Sequence, residues 1–211
     1  MEPPPPPPLP SIEQLFPANL PLDPGGLPDG LANGTAQSCA ACHYEAHDAW
    51  ERGAHSGDHR DFLALTQELG MPACGSCHFP LQRQHSTSVQ YDQDDASRPV
   101  HRDNHGVDLS LASEGVTCAA CHLRDGYVVA AHEVRNAPHP IAVSDTLGRS
   151  EGCAACHQMS FPGAPDPLYN TYAEWAASPW AETGVQCQDC HLAAAADGGS
   201  DHAMPARRGK G

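Results

Sequence analysis

The sequence is short of basic and aromatic side chains. Of its 211 residues, 11 are Lys or Arg against 26 Asp or Glu, a formal charge of −15, and Lys210 is the one lysine. So acidic a chain is no partner for nucleic acid, whose phosphates want a basic surface. Aromatic residues make up 6%, too little for the large apolar core that a chain of this length could otherwise bury. No apolar run approaches the length of a membrane span, so no transbilayer segment is expected. Residues 1–37 carry neither the basic start nor the apolar stretch of a secretory leader.

What is abundant is cysteine together with histidine, 10 and 14 residues. All the cysteines fall in five segments of one pattern: Cys39-Ala-Ala-Cys42-His43, Cys74-Gly-Ser-Cys77-His78, Cys118-Ala-Ala-Cys121-His122, Cys153-Ala-Ala-Cys156-His157 and Cys187-Gln-Asp-Cys190-His191. C-x-x-C-H is the attachment signature of c-type haem. Two thiols three positions apart lie on one side of a turn and can add to the two vinyl groups on one porphyrin edge. The next residue then sets its imidazole beneath the iron as proximal ligand. Structural zinc also uses C-x-x-C pairs, but takes four ligands from two of them, which leaves one of the five odd. Nor does zinc need His after every second Cys. A thioredoxin-like redox pair needs one motif, and a disulfide framework does not restrict the spacing in this way. The expected cofactors are five haem c groups, with proximal ligands His43, His78, His122, His157 and His191.

Five porphyrins in so short a chain would supply the flat apolar surface that the side chains lack. The expected fold is mainly α with long loops and little β, the polypeptide wrapped around a closely packed haem array. Residues 1–37 read as a Pro/Gly-rich tail or linker, with Pro3 to Pro8 unbroken and suited to polyproline II. Residues 38–204 read as one pentahaem domain and 205–211 as a basic tail. The first cysteines stand at 39, 74, 118, 153 and 187, a quasi-repeat of one haem unit. Helices are expected over Cys39 to Arg52, stopped by Gly53, and over Asp61 to Leu69, stopped by Gly70. A third is expected to open on Asp166 as N-cap with Pro167 in its first turn and to end before Pro179. Tyr127 to Ala131 is the one strand candidate, and 80–110 and 132–150 read as loops.

Nine histidines lie outside the motifs, while five irons need five distal ligands, so at least four serve none. His47 stands one helical turn beyond His43 on the same face and cannot cap the same iron. His55 follows the helix end and can reach a neighbouring haem. Pro138 and Pro140 fix an extended backbone around His139. His202 lies in a Gly-rich return after the last motif. These three, with His105 and His132, are the distal candidates; His59, His85 and His101 are less suited. Methionine is the other common axial ligand. Met71 and Met159 sit too close to their motifs, and Met204 is a rival to His202. Mostly bis-histidine, low-spin haems are expected.

Cys39–His43 followed by Trp50 and His55 resembles the C-x-x-C-H…W-x-x-S-x-H element of multihaem cytochromes c related to the tetrahaem electron carrier of ammonia oxidation and to hydroxylamine oxidoreductase. Gly115-Val116-Thr117-Cys118 and Gly184-Val185-Gln186-Cys187 are similar to that family's G-[VI]-x-C-x-x-C-H entries. Asn170 to Trp175 after the fourth motif and Asp201-His202 add to the likeness, which covers roughly 38–204. The resemblance implies a distal role for His55, with Gly53 where the family has Ser. In the second such element Trp175 and Ser178 match, but Trp180 stands where the His would be. Trp50 and Trp175 read as packing residues.

Electron transfer is the expected function, because haems held close in one chain pass electrons from one to the next and filled axial positions exclude substrate. The rival is an oxidoreductase of small nitrogen or sulfur compounds at an open iron. The pentahaem nitrite reductases resemble this chain in haem count but commonly use a catalytic C-x-x-C-K motif, and no motif here ends in Lys. A haem-bearing subunit of a larger redox complex or filament, or a homo-oligomer, is the remaining alternative. The partners expected of so acidic a surface are basic redox proteins. Because c-type haem is attached outside the cytoplasmic membrane, a periplasmic or extracellular location is expected, with a leader outside this sequence.

Overall fold

In a computed structural model of the chain, residues 21–57, 61, 64–65, 75–91, 99–159, 166–195 and 199–205 are described, with the backbone alone at 88–91 and 99–101. The Pro3 to Pro8 run, Met71, His59 and most of the Asp61 to Leu69 helix lie outside them. The described helices are short. They are α1 (Ala36–Ala40), α2 (Tyr44–Glu51), α3 (Gly75–His78), α4 (Cys118–His122), α5 (Glu151–His157), α6 (Thr171–Ala176), α7 (Pro179–Glu182) and α8 (Cys187–His191). No described helix is long and apolar enough to cross a membrane.

The strand content exceeds the sequence expectation. A hairpin pairs β1 (Thr87–Tyr91) with β2 (Pro99–Asp103), inside the segment read as loop. A second sheet has the order β3 (Leu123–Arg124), β4 (Tyr127–Ala130), β5 (Ile141–Val143), with β4 and β5 parallel. β4 falls on the strand candidate; β5 again falls on an expected loop. Two helix expectations shift as well. Cys39 to Arg52 is not one helix, because the chain turns at 41–43 between α1 and α2. The third begins later than expected: Asn170, not Asp166, stands at its N-cap position, and Pro179 opens α7 at its first position rather than only ending α6.

Part of the segment expected to be a tail packs onto the rest. The Leu22 N–H donates to the Pro80 carbonyl at 2.6 Å, and Asp125 and Gly126 donate to the Pro24 and Gly26 carbonyls. Leu22 joins Leu81, Ala119, Ala120 and Leu123 in a small apolar cluster. That cluster joins the segment after the second motif, at Leu81, to the third motif's helix. Beyond Ser150 no described residue is buried, so the last two motifs sit among helices that lack a protein core of their own.

Candidate functional site: five C-x-x-C-H segments and their second histidines

Each described motif is a tight helical turn. The N–H after the motif, or of its own His, closes on a carbonyl four residues back: His43 on Cys39, Phe79 on Gly75, Leu123 on Ala119, Gln158 on Ala154, Leu192 on Gln188. A turn of this pitch sets residues three apart on one side, which is how both sulfurs of a pair can face one body. The sulfurs also meet across motifs. Cys39 contacts Cys118, Cys77 contacts Cys156, and Cys153 contacts Cys187. Contact with Cys39, then burial, pushes the Cys118 thiol up; contact with Cys156 draws Cys77 down to about 7. The described cysteines form no disulfide. Among the described residues the one group of three close metal-donor atoms is His47, Asp48 and Glu51, and no cysteine belongs to it. The convergence of cysteine ligands that structural zinc demands is therefore not seen there.

Three motif histidines instead face a second histidine. The rings of His43 and His139 are 6.5 Å apart centre to centre, those of His55 and His157 6.2 Å, and those of His122 and His202 6.2 Å. At interplanar angles of 42°, 64° and 43° these are separations that tilted or edge-on ring pairs also adopt. Two metal–nitrogen bonds of about 2 Å plus the ring radii set a pair of axial imidazoles about 6 Å apart. Each pair joins a motif to one of the histidines expected on the distal side, and no pair lies within a single haem unit's local sequence.

The partners of the ring nitrogens fit the same purpose. His122 Nδ1–H donates to the Val129 carbonyl at 2.8 Å, His191 Nδ1–H to Pro205 at 3.0 Å, and His202 Nδ1–H to Ser200 at 2.8 Å. A carbonyl can only accept, so Nδ1 carries the proton and Nε2 is left as a bare donor to a metal. The buried Nδ1 of His139 has no hydrogen-bond partner, an orphan that an axial bond or a bound group would satisfy. Burial pushes His55, His122 and His157 below the ordinary imidazole range, which favours the neutral, metal-binding form.

Local structure delivers each second histidine. β4 serves twice: its Val129 carbonyl orients His122, and its pairing with β5 fixes the Pro138-His139-Pro140 lead-in, with Val128 donating to the Pro140 carbonyl at 2.9 Å. His202 rides a return held by the Ala194–Ser200 bridge. That return passes against Gly53, where an added Cβ would stand 2.6 Å from the Ala203 carbonyl oxygen. The close approach leaves no room for a side chain at this position.

Five other histidines outside the motifs fall elsewhere. His105 and His132 are exposed and face no motif histidine among the described residues. His85 is buried with its Nε2 on the Phe79 carbonyl, a core histidine. His47 packs on Trp50 and lies near Asp48. His101 has only its backbone described.

The two ends of this site are built alike, a relation the residue spacing alone does not reveal. Trp50 of α2 donates its indole N–H to the Val116 carbonyl at 2.8 Å, and Trp175 of α6 donates to Val185 at 2.9 Å. Val116 N–H donates to the His55 carbonyl at 2.8 Å, and Val185 N–H to the Trp180 carbonyl at 2.9 Å. Both valines follow a glycine of positive φ, +66° at Gly115 and +82° at Gly184. The start of the first motif's helix is tied to the approach to the third motif, Ala36 N–H donating to Glu114; the start of the fourth is tied to the approach to the fifth, Ser150 N–H donating to Gln186. The first-plus-third and fourth-plus-fifth motifs are thus two copies of one arrangement, and His55 and Trp180 hold the same place in them. No protein-family model, curated protein or solved structure compared with this chain matches it.

Proposed function

We propose that this chain is an electron-transfer multihaem cytochrome c carrying five covalently attached haems, mostly with two axial histidines. The observation that carries the reading is the set of facing pairs, His43 with His139, His157 with His55 and His122 with His202, at 6.2–6.5 Å. The attachment sulfurs are Cys39 and Cys42, Cys74 and Cys77, Cys118 and Cys121, Cys153 and Cys156, Cys187 and Cys190. The haem irons would supply reversible one-electron oxidation and reduction. The protein's part is to hold and tune them. Carbonyls on the Nδ1–H of His122, His191 and His202 fix ring orientation and raise ligand basicity. Imidazoles on both sides leave no position for substrate. The sulfur contacts between motifs 1 and 3, 2 and 4, and 4 and 5 support an array close enough for transfer between neighbours. The fourth and fifth motifs, with no buried residue beyond Ser150 among the described ones, have the form of a protein that folds around another apolar body. Intact mass and a pyridine haemochrome count on matured protein test this directly. Five haem masses are expected; bare polypeptide or bound Zn²⁺ would overturn it.

One observation favours a second reading, a small-molecule oxidoreductase. His191 faces no other imidazole among the described residues, although its Nδ1–H is committed to Pro205. An open iron there would bind carbon monoxide when reduced. One equivalent of carbon monoxide per chain, lost when Cys187 and Cys190 are replaced by Ala, supports this second reading; no binding excludes it.

A further inference from the structure

We propose that the surface around Trp180 is the docking site for a basic electron-transfer protein whose exposed haem edge is rimmed by lysine or arginine. The inference rests on the carrier reading above and names its partner. In the first copy of the repeated arrangement, the loop after the tryptophan helix ends on His55, whose ring faces His157 in the second copy. That loop is the seam across which one copy meets the haem site of the next. In the second copy the same loop ends on Trp180, with the same hydrogen bond to the valine of a motif entry. Trp180 is 65% exposed. The seam is repeated in the second copy, with an indole in place of the imidazole, and no described motif faces it.

The fifth motif reaches the surface beside it. Val185, bonded to Trp180, stands two residues before Cys187, and Cys190 and His191 are exposed. Between residues 166 and 195 there are four acidic side chains, Asp166, Glu174, Glu182 and Asp189, all exposed, and no Lys or Arg. An exposed indole on the same short helix as the exposed Glu182, in a segment whose charged side chains are all acidic, has the character of an interface anchor with a charged rim. Its complement is a basic rim, which long-range attraction would draw in. A second copy of this chain does not fit. At −15 it repels itself, and the counterpart seam at His157 is already filled by His55. Across the docked pair one electron leaves one iron and arrives at the other, with no bond made or broken.

The test uses protein shown by mass to carry five haems. It is reduced with dithionite and mixed in a stopped-flow instrument with an oxidised, lysine-rich monohaem cytochrome c. At low ionic strength, Trp180→Ala is expected to slow the second-order reaction tenfold or more, and Trp180→Phe to restore most of the rate. Glu182→Gln should flatten the salt dependence, while haem count, visible spectrum and dithionite reduction stay as in the parent. A wild-type rate in Trp180→Ala, equal slowing of its dithionite reduction, or conversion of a dimer to a monomer by sedimentation would each overturn the proposal. Five haems that dithionite fails to reduce would overturn the carrier reading itself, and this inference with it.

Discussion

The rings of His122 and His202 lie 6.2 Å apart, and each has its Nδ1–H on a backbone carbonyl. One closes the third motif and the other follows the fifth, yet their remaining nitrogens are free to serve one metal. Replacing His202 by Ala should therefore convert one haem in five to high spin. His55→Ala and His139→Ala should each do the same to a different haem, whereas His105→Ala and His132→Ala should leave the ferric EPR spectrum unchanged. Quantifying high-spin signal per chain across the five variants checks the assignment of partners.

Gly53→Ser would restore the residue found in the resembling family and should still be harmful. A Cβ at this position would stand 2.6 Å from the Ala203 oxygen and 3.1 Å from two further backbone atoms of Ala203. Backbone cannot swing aside as a side-chain tip can, so either the His55 loop or the His202 return must move. The expected loss is about 1–3 kcal/mol, read as a lower thermal midpoint together with, on the proposed reading, altered spectra from the haems assigned to His55 and His202.

Trp50→Phe separates the ring from its donor. Trp50 is 8% exposed and its indole N–H bonds to Val116. Losing that bond while keeping most of the ring leaves the half-buried Val116 carbonyl short of a partner, at a cost of about 0.5–1.5 kcal/mol. Trp175→Phe breaks the matching bond to Val185 at a half-buried position, where water can replace the donor. A smaller fall in denaturation midpoint is expected there.

Glu114 ties the first motif to the third, accepting from Ala36 N–H and from the Thr117 hydroxyl at 2.7 Å. Burial pushes its carboxyl above the ordinary range, against the pull of those donors. The folded chain therefore holds this proton more tightly than the unfolded one. Its contribution to stability is greatest in acid and falls as pH rises from the ordinary carboxylate value through the raised one, then levels off. Thermal melts of Glu114→Gln against the parent across that interval should show the dependence shrink in the variant.

The C-x-x-C-H turns, and the three outlying histidines whose rings lie opposite motif histidines, could be singled out from residue order because each depends on local geometry. A C-x-x-C-H turn is closed within five residues, and the features that singled out His139 and His55 were flanking prolines and a helix end. Which motif each one faces could not be read, since that is set by contacts between distant parts of the chain. The hairpin at Thr87–Tyr91 and Pro99–Asp103 was missed although Thr87, Val89 and Tyr91 alternate as strand residues do. The polar and proline-rich surroundings outweighed that short signal. The packing of Leu22 was missed for a related reason: a Pro/Gly-rich stretch has the composition of a linker even where its backbone groups are all spoken for.

The cross-pairing of histidines also bears on how such a protein is made. His43 is synthesised long before His139, and His122 long before His202. A haem joined early to the emerging chain would wait, with one face open to whatever solutes surround it, until the closing residue arrives. On the proposed reading, the face of the third motif's haem closes only after residue 202 has been made.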